Sequence, residues 1–168
     1  MADEELDVRM EEERDRRAVY LGTAVTAIAT LVLFVVPDLI PVEAIRRWTY
    51  QQTGRWPLGT RGNPFSWLRL CGGLFGGAVA GWLTSEYGSP TYSGLKAAVF
   101  GLGLAYLIVV GFYVFYWPVL RGVFPPPMFE IMVVPIIHSI LLFPAHIAGG
   151  PLAGAIASEV RTIAGVDS

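Results

Sequence analysis

Polar and apolar positions are gathered into long blocks, and the blocks set the architecture. Residues 1–17 are dense in charge, and Ala18 to Val36 then runs 19 residues without one, about 28 Å as a helix against a hydrocarbon layer of roughly 30 Å. A second block, Phe65 to Leu83, is apolar apart from Ser66 and Arg69 and carries glycine at 72, 73, 76, 77 and 81. The third, Ala97 to Leu120, is rich in leucine, valine and aromatic residues, with Ser93 as its amino-terminal cap and Pro118 near its end. The fourth, Ile131 to Ala157, contains Pro135, Pro144 and Pro151, which predicts a kinked or broken helix because each proline removes a backbone donor. The pattern predicts an all-α, polytopic integral membrane protein. Four transmembrane helices, at about 18–36, 65–83, 97–120 and 131–157, form a bundle over 18–159, preceded by a charged helical extension at 1–17 and followed by a short polar tail at 160–168.

The first span reads as a retained anchor. The region before it sums to −4, its apolar run exceeds the 7 to 15 residues of a signal peptide, and Val35-Val36-Pro37-Asp38 offers no small-residue cleavage site. Glu12 with Arg16, and Glu13 with Arg17, stand at i, i+4 with the acid first, the favourable order on a helix that projects into water. The loop between the first two spans predicts an interfacial helix. Pro41 opens it, Gly54 closes it, Glu43 pairs with Arg47, and Val42, Ile45 and Trp48 or Thr49 share a face. Trp48, Tyr50, Trp56 and Trp67 interleave with Arg46, Arg47, Arg55 and Arg61, the mixture that settles at headgroup depth. The interfacial residues are therefore Arg46, Arg47, Trp48, Arg55 and Trp56, read either as an aromatic belt or as an anionic-lipid or phosphate site.

Composition sharpens this picture. Of 168 residues, 54% are hydrophobic and 15% charged, against about 25% charged in an ordinary soluble domain, and mean hydropathy is +0.52. A soluble enzyme is excluded. A net charge of −2 with no basic stripe argues against nucleic acid as a partner. The single cysteine, Cys71, reads as a buried, inert thiol.

Gly76-Gly77-Ala78-Val79-Ala80-Gly81-Trp82-Leu83-Thr84-Ser85-Glu86 aligns without gaps to Gly149-Gly150-Pro151-Leu152-Ala153-Gly154-Ala155-Ile156-Ala157-Ser158-Glu159, with six of eleven positions identical. Each copy ends an even-numbered span. Ala18-Val19-Tyr20 and Ala98-Val99-Phe100 open the odd-numbered ones, and Pro37 and Pro118 close them, so the pattern predicts a duplicated two-helix hairpin whose halves are related by a pseudo-two-fold along the membrane normal. Both Ser-Glu ends and the amino terminus then share one side. Lys and Arg divide six against six between the sides, but Arg14, Arg16 and Arg17 crowd the first span and place both termini in the cytoplasm.

Gly73, Gly77 and Gly81 form GxxxGxxxG, and Gly150 and Gly154 form a second GxxxG. Such stripes let backbones approach closely, either within one chain or in a homo-oligomer or partner complex. His138 and His146 are ionisable residues placed deep in a span, which calls for a functional hypothesis. Eight positions apart, they are too far separated on a helix to ligate one metal together. They stand as candidates for a haem or metal ligand, for a proton relay or channel lining, or for neutral histidines bonded to a proline-freed carbonyl. No metal site and no cofactor is predicted. Phe124-Pro125-Pro126-Pro127-Met128-Phe129-Glu130 reads as a rigid connector or a docking peptide.

The run Pro64-Phe65-Ser66-Trp67 through Gly76-Gly77-Ala78-Val79-Ala80-Gly81-Trp82-Leu83, then Tyr92-Ser93-Gly94-Leu95-Lys96-Ala97-Ala98 and Gly101, resembles a functionally uncharacterised family of small multi-span membrane proteins from halophilic archaea. That resemblance covers roughly 64–105, implies a membrane location and a halophilic archaeal source, and supplies no catalytic residues. The expected function is a non-enzymatic accessory or scaffold subunit that packs against itself, membrane lipids or other membrane subunits through glycine-rich helices. The alternatives are a small homo-oligomeric channel or transporter, and a haem- or quinone-associated redox subunit.

Overall fold

The structure, a computed structural model, describes residues 2–39, 42–53, 66–116 and 128–166. Among these the chain is helical, with no strand. Helix α1 spans Ala2–Leu39, α2 Val42–Thr53, α3 Gly72–Leu83, α4 Pro90–Gly111 and α5 Met128–Ile163; a 3-10 segment, Ser66–Cys71, leads into α3, and a π segment, Phe112–Tyr116, continues α4.

Helix α1 passes without a break from the charged extension into the apolar block. Arg16 and Arg17 pair with Glu12 and Glu13 on its exposed surface, which favours helix ahead of the apolar run. Two of the other boundaries differ from expectation. Helix α4 begins at Pro90, where the side chain of Ser89 accepts from the Tyr92 amide at 3.3 Å and proline occupies the first turn. Ser93 is therefore no cap but a buried residue of the helix interior. Helix α5 is continuous through Pro135, Pro144 and Pro151, where a broken helix was expected. Its last third is held between α3 and α4, and flanking helices can support a backbone from which proline has removed a donor.

Among the described residues, two helical stretches are long and apolar enough to cross a membrane, Leu6–Leu33 and Pro90–Gly111. The second predicted span is shorter as found, an apolar stretch of Leu68–Leu83 that starts in 3-10 geometry.

Helices α3 and α4 adjoin, with α1 on one side of the pair and α5 on the other. Gly22 of α1 meets Gly76 and Ala80 of α3 and Ala97 of α4, while Gly150 of α5 meets Gly77 of α3 and Gly94 and Ala98 of α4. A two-fold along the bundle axis exchanging the α1–α3 and α4–α5 hairpins would set α1 diagonally opposite α4, and α3 opposite α5. The packing instead puts α3 and α4 across the short diagonal, because their glycine and alanine faces admit a neighbour on both sides.

Among the described residues the interior is made mostly of small or polar residues. Buried apolar positions are mostly alanine (18, 27, 80, 97, 98 and 105), and the largest side chains under 2% exposed are His146, Thr26 and Thr84. Leu102 and Leu142 are buried, but most large apolar side chains among the described residues point outward: Leu107 is 67% exposed, Phe115 78% and Ile140 65%. This inverts the usual distribution of a water-soluble domain.

Candidate functional site

Sequence spacing puts Gly73, Gly77 and Gly81 on one stripe of α3, and the fold lays that stripe along α5 at His146, Gly150 and Gly154. A Cβ on Gly77 would stand 2.7 Å from the Gly150 Cα, and one on Gly81 would stand 2.6 Å from the Gly154 carbonyl carbon. The opposing atoms are backbone and cannot rotate away. Contact is in register, with Gly77 on Gly150 and Gly81 on Gly154, so α3 and α5 run parallel and the two copies of the repeat touch at equivalent positions. Gly94 of α4 closes the third side, since its Cβ would meet Gly150 and the Gly154 Cα. These glycines are thus occupied within the chain.

One turn from Gly150, the seam widens into a polar core. His146 is 0% exposed. Its Nδ1 lies 2.8 Å from the Leu142 carbonyl, which can only accept, so Nδ1 carries the proton; Nε2 lies 3.1 Å from Thr30 Oγ1 of α1 and, in the neutral ring, accepts from that hydroxyl. Leu142 is the ordinary i−4 position, whereas the carbonyls freed by Pro144 and Pro151 belong to Ile140 and Ile147. The expected proline-freed carbonyl is therefore not the partner of His146. Thr30 and His146 reach each other because α3 has no side chains between them. A Cβ on Gly72 would run into Thr30 Oγ1, and one on Gly73 would stand 2.9 Å from His146 Cδ2. Thr26 is fully buried one turn away, with its hydroxyl lacking a partner among the described residues and lying against Gly76.

A second polar cluster, at the end of the bundle nearest the charged flank of α1, was not among the sequence candidates. Arg161 of α5, 6% exposed, donates through Nη1 to the Trp82 carbonyl at 2.7 Å and the Thr84 carbonyl at 2.6 Å. It caps the carboxyl end of α3, where a cation complements the helix dipole. Asp15 of α1 accepts from the Ser85 amide at 2.7 Å, and Arg14 Nε donates to the Leu83 carbonyl at 3.4 Å. This turn is thereby tied to α1 and α5 together. Lys96 lies 4.2 Å above the Tyr92 ring, and Tyr87 is 84% exposed, so aromatic and basic side chains ring this end as well. The signal in sequence was the shared Ser-Glu repeat end, whose carbonyls and amides need partners once α3 stops.

Of the interfacial candidates, Arg47 and Trp48 lie exposed on α2, whose bounds fall between Pro41 and Gly54. The side chains of Arg46 and His138, and all of Arg55 and Trp56, fall outside the described residues. Cys71 is free and half-buried at the head of α3, not fully buried as expected. No group of three or more His, Cys, Asp or Glu among the described residues is placed to hold a metal ion.

Comparison with protein-family models, with curated proteins and with solved structures gives no match.

Proposed function

We propose that this chain is a multi-pass membrane protein, with α1, the 3-10/α3 unit, α4 and α5 as four spans, that serves as a non-enzymatic accessory or scaffold subunit of a membrane assembly. The observation that carries the reading is the inversion of the bundle. Its largest fully buried side chains are polar while its exterior carries Leu107, Phe115 and Ile140, a distribution that lipid or an apolar partner satisfies and water does not. A membrane location also agrees with the resemblance to the halophilic archaeal family. Thr30 and His146 inside the bundle are matched to one another, which supports a packed body rather than a reactive cleft at that position.

The channel alternative sets His138 and His146 along a path, and the haem alternative needs a ring nitrogen for iron. At His146 both ring nitrogens already have partners within the chain, so the scaffold reading is preferred. Native mass spectrometry of the chain, extracted gently from its own membrane, tests it. A fixed mass increment from another protein subunit is the expected result. Recovery as a homo-oligomer with nothing else bound would overturn the accessory role in favour of a channel, and visible absorbance would do so in favour of a redox subunit.

A further inference from the structure

We propose that the crease between α1 and α3, at the end where α1 enters the apolar block, binds an anionic phospholipid, with its phosphate held by Arg14 and Arg17 and an acyl chain laid toward Leu21 and Trp82. This rests on the membrane reading above. The crease encloses about 350 Å³, with Arg14, Arg17 and Glu13 at one end and Ala18, Leu21 and Leu83 below them. Leu83 also lines a second hollow of about 340 Å³ on the α5 side of α3, walled by Ala78, Val79, Trp82 and Ala157, so apolar surface continues across α3 from the charged mouth.

The gradient from charge to hydrocarbon matches the shape of a lipid. Arg17 immediately precedes the uncharged run that begins at Ala18, which sets its guanidinium at headgroup depth once α1 spans the bilayer. Arg14 stands one turn earlier on the same face. Its Nε donates to the Leu83 carbonyl at 3.4 Å and its side chain lines the crease, and a guanidinium offers the paired donors that suit phosphate. Arg17 is bonded to Glu13, so the three side chains lining the mouth carry one net positive charge, while Asp7, Glu11, Glu12 and Asp15 line a separate hollow with Arg14. A free phosphate would use the mouth and leave the apolar floor empty, whereas a phospholipid fills both.

The test uses the full-length chain purified from membranes, delipidated in detergent and titrated with phosphatidylglycerol or phosphatidylcholine, with bound lipid read by native mass spectrometry. The wild-type chain should retain phosphatidylglycerol in preference to phosphatidylcholine, and Arg14→Gln/Arg17→Gln should weaken its affinity for phosphatidylglycerol about tenfold, on the order of 1.4 kcal/mol. Arg46→Gln/Arg47→Gln, in the distant interfacial helix, should leave it unchanged. Glu13→Gln, which removes the competing carboxylate without touching either arginine, should raise it. Equal retention of the two lipids, unchanged retention in the double arginine variant, weakened retention in Glu13→Gln, or displacement by millimolar inorganic phosphate would each overturn the site. Recovery of the chain in the soluble fraction of its own cells would instead overturn the membrane reading on which the site rests.

Discussion

His146 was legible in the sequence as an ionisable residue inside an apolar block, but its role was not. The residue that accounts for it, Thr30, lies 116 positions away, and nothing in local spacing joins a threonine of the first helix to a histidine of the last. The gap through which they meet is the missing side chains of Gly72 and Gly73, which composition records as glycine and only the fold records as space. If the pair is structural, removing either partner strands the other in a site that water does not reach. Thr30→Ala and His146→Ala should each lower stability in detergent, and the double variant should fall short of their sum by about 0.6 kcal/mol, the mean for hydrogen bonds between membrane helices, and by no more than roughly 1.7. Strict additivity in such a cycle would mean that the 3.1 Å contact contributes nothing.

At the scale of helices, apolar block lengths and glycine periodicity gave the elements and the stripe by which α3 packs. Their ends were less legible, because they are set by interactions that block patterns do not register. Helix α4 starts at the Ser89-Pro90 cap, ahead of its apolar run, and α5 runs on through three prolines, the stretch around Pro151 lying between α3 and α4. The glycine seam gives a sharper expectation. A methyl on Gly77 or Gly81 meets the backbone of Gly150 or Gly154, so α3 and α5 must move apart, and Gly77→Ala and Gly81→Ala should each cost about 1–3 kcal/mol as overpacking does. Gly103 of α4 is the internal control, since nothing lies within 4 Å of where its Cβ would stand. There the same change relieves the glycine penalty of roughly 0.5–1 kcal/mol in a helix and should leave stability equal or higher. Unfolding titrations of the three variants in mixed micelles check this, and equal losses at 77, 81 and 103 would show that the seam is not the constraint.

For the molecule as a whole, the placement of the two ends follows from side chains rather than from charge counts. Asp15 of α1 and Arg161 of α5 both bind the turn that ends α3, so the emerging end of the first helix, the α3–α4 turn and the end of the last helix occupy one end of the bundle. Basic residues divided equally between the sides could not have fixed this. In a chain that spans a bilayer, Val8 and Val166, both exposed, then face one compartment, and Gln52 at the exposed end of α2 faces the other. With Cys71→Ser as background, single cysteines at these three positions should react with a membrane-impermeant maleimide in two classes. Positions 8 and 166 should label together, from the cytoplasmic side if the arginines flanking Ala18 set orientation, and position 52 should label only from the opposite side. Labelling of 8 and 166 from opposite sides would require an odd number of crossings. The joint hold of Asp15 and Arg161 on the α3–α4 turn could not then exist in the membrane, and the bundle would have to come apart along α5.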